Sequence, residues 1–315
     1  MTDANETSAS QEAPLTFNVR HTTFTIAGLS ADPQHADDTS LDGAILIVGL
    51  VRSEGGLPEL LGSAVFIAPG LAVTATHVFG DRVRELLDGT LKVQCFTTGT
   101  ATTGVLVWTC YHISHGENED LALLSLRCES PLPPEFVHTM LPTTTRMPVD
   151  AEPVTVLGYR VQGVSATANP QTGEVVGEIA GNLLIARGSV TQVHMPRRDP
   201  HLLPFPAFTI SCGTRGGMSG GAVVDAWGML IGVVSTGLQT SDEEDLTNAA
   251  WMLNAWRHSM SLTYPVGMYP PGNLNILDLS PELCRIEGRS AFTITGVDEV
   301  LYVPWTDGDN PPAPA

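Results

Sequence analysis

The stretch GTRGGMSGGAVVDAWGMLIGVVSTG, residues 213–237, decides how this chain folds. Its second half contains two apolar runs separated by a turn from Asp225 to Gly228, which predicts a β-hairpin. Its first half places one serine, Ser219, between two pairs of glycines, whose backbones adopt dihedral angles that other residues avoid. Ser219 therefore stands at the entrance of an apolar hairpin, either as a nucleophile or as a polar residue of a flexible turn.

The composition limits the classes of protein to which the chain can belong. Of 315 residues, 43% are hydrophobic and 16% are charged, which allows a sizeable core in one large domain or two moderate ones. The chain has 34 acidic and 15 basic residues, a formal net charge of -19, and Lys92 as its single lysine. A phosphate backbone or an anionic membrane would repel most of such a surface, so we expect neither nucleic acid nor membrane as a partner.

The sequence also predicts a cellular compartment. No apolar run approaches the roughly 20 residues of a membrane span, and the start MTDANETSASQEAP lacks the basic and apolar parts of a secretory signal. The five cysteines are scattered, odd in number and without a CxxC pair, which fits reduced thiols better than disulfides or a zinc site. We therefore expect a cytoplasmic protein.

Short runs rich in Val, Ile, Leu and Thr, separated by Gly, Pro and Asp, predict an all-β chain. We expect a partly disordered arm (1–40) with one strand within residues 15–26, a first domain (41–135), a Pro-rich connector (136–153), a second domain (154–264) and a C-terminal extension (265–315). The extension contains one more apparent hairpin, SAFTITGV with EVLYVPW. Residues 241–260 fit a helix capped at Ser241, with Glu244 as the capping partner, or a buried strand at NAAWML, and the sequence leaves both open.

A catalytic serine needs three further groups, because its hydroxyl is a poor nucleophile at neutral pH. It needs a base, a group that orients the base, and donors for the oxyanion. Gly216 and Gly217 offer a backbone that can aim N–H groups at one point. His77 follows the apolar strand LAVTATHV, and Asp120 heads the apolar run LALLSL, so both stand at strand ends. Each has an ordinary structural explanation, but the ordered set is much less expected by accident.

Two other chemistries fit the sequence less well. A phosphate loop at GTRGGMSGG would need a following lysine and a helix, and neither is there. His112, His115 and Glu117 in YHISHGENED could chelate a metal, but a solvated loop is the simpler interpretation. We therefore expect neither a metal nor another cofactor.

The segments TATHV, EDLALLSL and GGMSGGAV, in that order, resemble the three signature segments of the chymotrypsin-like (trypsin-like) serine peptidases. The gaps of 43 residues from His77 to Asp120 and 99 from Asp120 to Ser219 suit that family. GVVSTG, residues 232–237, resembles the strand that lines the family's substrate cleft. The resemblance covers residues 42–262 in outline and implies two six-stranded antiparallel β-barrels with the active site in the cleft between them.

The resemblance also implies a role for each matching residue. Ser219 would attack the scissile carbonyl, His77 would take and return the proton, and Asp120 would fix the tautomer. The N–H groups of Gly217 and Ser219 would form the oxyanion hole. A protein or peptide substrate would pair with the cleft strand and enter the primary pocket at the following substrate-binding residues: Gly213, Thr214, Ser235, Thr236 and Gly237.

The sequence departs from the family pattern at two positions. Met218 stands where secreted members carry the aspartate that pairs with a new N-terminus, so zymogen activation is not expected, and control falls to the termini or to a regulatory protein partner. Gly213 stands at the floor of the primary pocket without a carboxylate, so we expect a small-to-medium apolar side chain before the cut. The acidic run 242–245 could still attract basic residues, although a solvated loop is the simpler interpretation.

The leading interpretation is an intracellular serine endopeptidase that is not activated as a zymogen. A catalytically silent barrel pair that grips peptides by strand addition is a second hypothesis, against which the intact set of three residues argues. A non-proteolytic acyl hydrolase is a third, because the same triad serves esters.

Overall fold

The computed structural model describes residues 18–22, 30–35, 41, 43–98, 104–116, 118–132, 136–168, 171, 175–239, 245–294 and 300–302. Within the arm, strand β1 (Asn18–His21) runs parallel to residues 137–140, and β2 (Gln34–His35) pairs antiparallel with residues 184–185. The expected strand within residues 15–26 thus corresponds to β1, and most of the rest of that range lies outside the described residues.

Six antiparallel strands close the first barrel in the order β3-β4-β5-β8-β7-β6. Leu46, Val48 and Leu50, two residues apart on β3, belong to its buried core together with Phe66 and Trp108. A 3-10 helix (Thr76–Arg82) and α1 (Val83–Leu87) follow β5. The strands are β3 (Ile45–Arg52), β4 (Glu59–Ala68), β5 (Leu71–Thr74), β6 (Leu91–Thr98), β7 (Val105–His115) and β8 (Ala122–Cys128).

The connector between the barrels is more ordered than its proline content suggests. It contains β9 (Val137–Met140), which pairs with β1, and β10 (Thr143–Thr144). The buried Arg146 donates to Glu152 Oε2 at 3.0 Å and to Asp225 Oδ2 at 3.1 Å, and these two carboxylates raise the pKa of the guanidinium despite its burial, which lowers it. This ion cluster fixes the connector to the hairpin of the second barrel, because a buried charge is stable only when paired.

Six antiparallel strands also form the second ring, in the order β14-β11-β12-β13-β16-β15, and β14 pairs back with β15. The chain therefore has the double β-barrel that its sequence predicts. The turn between β14 and β15 carries a hydrogen bond of 3.0 Å from Gly228 N–H to Asp225 C=O, as expected for the hairpin. The strands are β11 (Pro153–Ala168), β12 (Val175–His194), β13 (Ala207–Ile210), β14 (Ala222–Val224), β15 (Leu230–Gln239) and β16 (Asp245–Trp251).

The structure decides between helix and strand for residues 245–260, while residues 241–244 lie outside the described part. The strand interpretation is correct for β16, which pairs with β13 on one side and β15 on the other, and a 3-10 helix (Met252–Arg257) follows it. The helix interpretation is wrong for β16, because a segment with buried strands on both sides takes their geometry whatever its local preference.

The C-terminal extension packs back onto both barrels. Tyr269 Oη donates to Pro69 C=O of the first barrel at 2.6 Å, and Asn275 Nδ2 donates to Trp256 C=O of the second domain at 2.8 Å. β20 and β21 form the predicted hairpin. No helix in the described ranges has the length and apolar character that crossing a membrane requires. The strands are β17 (Ser259–Ser261), β18 (Asn273–Asn275), β19 (Ile286–Glu287), β20 (Phe292–Ile294) and β21 (Val300–Tyr302), and further 3-10 helices span Ile276–Asp278 and Arg289–Ala291.

Candidate active site

His77 and Asp120 are hydrogen-bonded at one end of the first barrel. His77 lies in the 3-10 helix directly after β5, and Asp120 lies two residues before β8, the strand that pairs with β5. His77 Nδ1 lies 2.8 Å from Asp120 Oδ2 and 3.0 Å from Oδ1, and the backbone N–H of His77 donates to Oδ1 at 2.9 Å. Two separate bonds therefore fix the imidazole and its backbone on one carboxylate.

A third group holds this carboxylate from the opposite barrel. Ser235 Oγ donates to Asp120 Oδ2, and both side chains are buried. The register between β15 and β16 slips between Val234 and Thr236, so Ser235 is the extra residue of a β-bulge. Bulges near active sites redirect a side chain, and here the redirected hydroxyl meets the aspartate. The family resemblance implies substrate binding for Ser235, and it does not predict this hydrogen bond from the Ser235 hydroxyl to Asp120.

The hydrogen bonds determine the charge of Asp120. Burial by itself raises the pKa of this carboxyl, but the hydrogen bonds and charge of His77, with the hydroxyl of Ser235, outweigh it and bring the pKa below the usual 3.8. An ionised carboxylate only accepts hydrogen bonds, so Nδ1 of His77 must carry the proton. Nε2 then carries the free lone pair, which is the tautomer a general base needs.

Ser219 lies in a loop of residues 211–219, here called the serine loop, that two tight turns shape at its end. Met218 N–H donates to Arg215 C=O at 3.0 Å, and Gly221 N–H donates to Met218 C=O at 2.9 Å. Gly217 has φ +96° and Gly220 has φ +79°, both in the left-handed region that favours glycine. These glycines therefore allow two consecutive turns, 215–218 and 218–221, and the second turn contains Ser219.

The first barrel holds the serine loop through Ser63. Ser63 N–H donates to Ser219 C=O at 2.8 Å, and Ser63 Oγ donates to Gly217 C=O at 2.8 Å. The same Oγ accepts a bond of 2.8 Å from Tyr159 N–H of the second barrel. Within the described residues, the N–H groups of Gly217 and Ser219 donate to no other group. The carbonyl groups of Gly217 and Ser219 are both bonded to Ser63, whereas the N–H groups of these two residues are available to bind an oxyanion.

Close packing brings Ser219 next to the strand that leads to His77. A Cβ on Gly220 would lie 2.2 Å from Thr74 Oγ1 and 3.0 Å from Ala75 N, so only glycine allows this approach. In the described part of the chain, the hydrogen bonds of His77 go to Asp120, and Nε2 has no bond to Ser219. Such bonds often tighten only when substrate is present.

Met218 is an apolar anchor of the serine loop. Its side chain is completely buried in the core of the second barrel, and its Sδ accepts a bond of 3.3 Å from Arg215 N–H. A Cβ on Gly158 of β11 would lie 2.8 Å from Met218 Cα, which shows how closely the loop lies on the barrel. The Met218 side chain is uncharged, so it cannot form an ion pair with the ammonium group of a new N-terminus.

A cavity of about 370 Å³ opens beside Ser219. A Cβ on Gly213 would lie 2.8 Å from Asp245 Oδ2, and Arg215 Nη1 lies 3.5 Å from the same oxygen. Asp245, a member of the acidic run singled out in the sequence, therefore stands beside Gly213 in the pocket wall, where its carboxylate is paired with Arg215. The expectation drawn from the uncharged floor at Gly213 did not include these two charged groups. The cavity is lined by Thr214, Arg215, Gly216, Ser219, Gly237, Asp245 and Leu246.

Among the residues that the structure describes, one edge of β15 next to this cavity has no pairing strand. β15 pairs with β14 as far as Val233, and Val234 exchanges hydrogen bonds with Gly220 and Gly221. Beyond that point β15 pairs with β16 on its other side, while Thr236 and Gly237 are exposed. An extended peptide can add to such an edge.

A second side-chain contact across the barrels lies directly beside Asp120. Glu119 Oε2 lies 2.8 Å from His258 Nε2, and both side chains are largely buried. Arg257 Nη1 is 3.8 Å from Glu119 Oε1 and more exposed. His258 was not singled out from the sequence, because nothing in its neighbourhood predicts a partner 139 residues away.

His112 and His115 belong to β7, and Glu117 lies outside the described residues. Across the described ranges, no group of three or more His, Cys, Asp or Glu side chains is arranged to hold a metal ion. Ser63 is the other residue of the site that the sequence analysis missed, although a serine in the apolar strand GSAVFIA was a visible signal.

Two six-stranded antiparallel barrels with this arrangement of strands define the chymotrypsin-like double-barrel fold. The chain belongs to the family of trypsin-like peptidase domains, which matches residues 62–233, over half of its length and including His77, Asp120 and Ser219. At the level of the family, it is a serine protease. No curated protein matches the chain. Among solved structures, that of Deg5 is similar, with a TM-score of 0.44 and 15% identity over 68% of this chain and 85% of the Deg5 chain.

Proposed function

We propose that the protein is a serine endopeptidase with Ser219 as nucleophile, His77 as general base and Asp120 as orienting acid. The observation that carries this proposal is the hydrogen-bond chain from Ser235 to Asp120 to His77, because it leaves a base with its lone pair on Nε2. The serine loop packs against the strand before this histidine, and Ser219 is the hydroxyl on its tight turn.

The reaction follows from these groups. As Ser219 Oγ bonds to the scissile carbonyl carbon, its proton passes to His77 Nε2, and the N–H groups of Gly217 and Ser219 bind the oxyanion. The imidazolium then gives this proton to the leaving amine, which departs as the C–N bond breaks. Water repeats the sequence on the acyl-enzyme, with His77 again taking a proton, and releases the carboxylic acid and the free serine.

We also propose that the enzyme acts in the cytoplasm on protein or peptide substrates and needs no zymogen cleavage. Five free cysteines support a reducing compartment, and the open edge of β15 supports binding of an extended peptide. The buried Met218 supports the absence of a zymogen ion pair. Protein that has not been cleaved at its N-terminus is then expected to be able to acquire activity, with control supplied by its termini or a partner.

A fluorophosphonate probe tests the proposal, because it reacts with an activated serine and needs no known substrate. We expect labelling at Ser219, none in Ser219→Ala, and parent-like labelling in Ser165→Ala, which removes an exposed hydroxyl of β11. His77→Ala and Ser219→Ala should each lower kcat for a peptide by roughly 10⁴-fold or more, and the pair no further. A folded chain that the probe does not label would instead be a peptide-binding module, and cleavage of esters without peptides would make it an acyl hydrolase.

A further inference from the structure

The serine loop is tied at its start to a segment that belongs to neither barrel. Gly213 N–H donates to Ala31 C=O at 3.1 Å, and Gly213 is buried. The neighbouring ties come from the second barrel, where Ser211 N–H donates to Ser189 C=O at 2.9 Å and Thr247 Oγ1 donates to Cys212 C=O at 2.8 Å. Residues 30–35, here called the N-terminal segment, therefore supply the acceptor for the residue that begins the pocket wall.

The N-terminal segment fills a gap in the second barrel. β13 pairs with β12 as far as the pair of Val190 and Ile210. After Ile210 the chain moves away from β12 and continues as the serine loop. Over residues 184–187, β12 pairs with β11 on one edge and with the N-terminal segment on the other, through β2 and through a bond of 2.8 Å from Arg187 N–H to Ser30 C=O. The segment is thus bonded to β12 on one side and to Gly213 on the other.

This arrangement sets the distance between the loop and the barrel. Segments joined by main-chain hydrogen bonds lie about 4.8 Å apart, as neighbouring strands do, so residues 30–31 hold Arg187 and Gly213 roughly 10 Å apart. Without residues 30–31, the N–H groups of Arg187 and Gly213 lose these acceptors and the loop can move towards β12. The residues that follow Gly213, Thr214 to Gly216, line the cavity beside Ser219, so this motion would deform the pocket.

The serine itself is held by different contacts. Ser63 N–H binds the carbonyl of Ser219, and Gly220 N–H donates to Val234 C=O at 2.8 Å, both independently of the N-terminal segment. Loss of the segment should therefore affect the pocket and spare the nucleophile. A pocket that must be ordered on binding loses affinity for its substrate, whereas a reagent that does not enter the pocket is unaffected.

We propose that the N-terminal segment positions the pocket wall of the serine loop, so that substrate binding depends on its docking. The proposal rests on the proposed peptidase function and adds the element that keeps its pocket in shape. The segment docks through main-chain hydrogen bonds, and Ala31, Asp32 and Gln34 are exposed. Such a strand exchanges with a second strand of the same sequence, which makes docking a point of control for activity.

The test compares two variants of the full chain. Gln34→Pro/His35→Pro removes both backbone N–H groups of β2 and breaks its pairing with β12. Gln34→Ala/His35→Ala keeps both N–H groups and serves as the matched control. For each protein we would measure kcat and KM on a peptide whose side chain fills the cavity, the rate of labelling by a small fluorophosphonate, and hydrogen exchange at the Gly213 amide.

We expect the proline variant to show a KM raised about tenfold, which corresponds to the loss of one hydrogen bond, with an unchanged labelling rate and faster exchange at Gly213. A synthetic peptide of residues 30–35, added in excess, should lower KM again, and the alanine control should match the parent. Unchanged KM and Gly213 exchange in the proline variant, or parallel loss of labelling and cleavage, would overturn the proposal. A parent chain that neither cleaves nor labels would refute the peptidase function instead, and exchange at Gly213 would still report docking.

Discussion

Ser235 of the second barrel donates its hydroxyl to Oδ2 of Asp120 in the first barrel, and both side chains are buried. The carboxylate that orients His77 is therefore held from both sides of the cleft. Because each barrel supplies part of the hydrogen-bond chain, the relative position of the barrels is coupled to the orientation of the imidazole.

Ser235→Ala should lower the free energy of unfolding by about 1–3 kcal/mol at neutral pH, since it removes a buried hydrogen bond to a charged group. It should also move acid destabilisation to higher pH. Burial raises the pKa of Asp120 and its hydrogen bonds bring it below 3.8, so its stabilisation is complete above that value and is lost as pH falls through the lower folded value. Without the hydroxyl the folded pKa rises towards the unfolded value, so the stabilisation that Asp120 contributes is smaller and its loss is complete at a higher pH. Urea unfolding across acidic pH measures both effects, with Ser165→Ala as the control, and an unchanged pH profile would contradict this prediction.

Gly220→Ala should be much more damaging than Gly267→Ala. Both glycines have φ +79°, so both substitutions carry the same left-handed strain of about 1–2 kcal/mol. A Cβ at Gly220 would lie 2.2 Å from Ser63 C=O and Thr74 Oγ1, whereas nothing lies within 4 Å at Gly267. We expect Gly220→Ala to cost at least about 2 kcal/mol more in unfolding free energy. Equal losses in the two variants would show that the serine loop does not pack against β5 as described.

Asp245→Asn should reduce cleavage after Arg or Lys relative to cleavage after apolar residues. The Asp245 carboxylate lies beside Gly213, and its ion pair with Arg215 is 3.5 Å long and about one third exposed, so a basic substrate side chain can replace Arg215. We expect a drop of about tenfold in kcat/KM for basic substrates. Asp150→Asn makes the same charge change at an exposed site and should leave the profile unaltered. Cleavage of a peptide library, read by mass spectrometry, gives the answer, and a parent preference for apolar residues would restore the expectation drawn from Gly213.

Glu119 and His258 should be energetically coupled. Their 2.8 Å contact is between largely buried side chains, so a double-mutant cycle with Glu119→Ala and His258→Ala should give about 1–2 kcal/mol of interaction energy. The cycle of Glu119 with Arg257, which is 3.8 Å away and nearly half exposed, should give less than about 0.5 kcal/mol. Similar interaction energies from both cycles would contradict the prediction, because the shorter distance and greater burial of the His258 contact would then not strengthen it.

The fold was predictable because its signals are local. Short runs rich in Val, Ile and Leu, such as GAILIVGLVR at residues 43–52, and the turn from Asp225 to Gly228 predict strands and a hairpin from neighbouring residues alone. The choice for residues 245–251 was not local. Those residues form β16 because β13 and β15 flank them, and their sequence alone fits a helix as well.

The site was predictable to the extent that its residues follow short motifs. His77 and Asp120 were chosen from their segments, and the structure brings them within 2.8 Å. The sites of Ser63 and His258 depend on contacts between segments far apart in the chain, which no spacing rule contains. Asp245 belongs to the acidic run that the sequence singles out, but its place beside Gly213 depends on such contacts as well. Ser235 was chosen for its place on the cleft strand, but the bulge that directs its hydroxyl to Asp120 depends on the register with β16.

The C-terminal extension has a consequence for the timing of synthesis. The strands of the first barrel are complete at Cys128, yet its Pro69 waits for the hydroxyl of Tyr269, which the ribosome adds 200 residues after Pro69. Glu119 likewise receives His258 only 139 residues later. Because domains fold in the order in which they are translated, these two contacts form after the bonds of Ser63 and Ser235 that already join the barrels. Tyr269 and His258 both follow Ser219 in the chain, so the nucleophile is translated before these last contacts can form, which separates the making of a protease from its use.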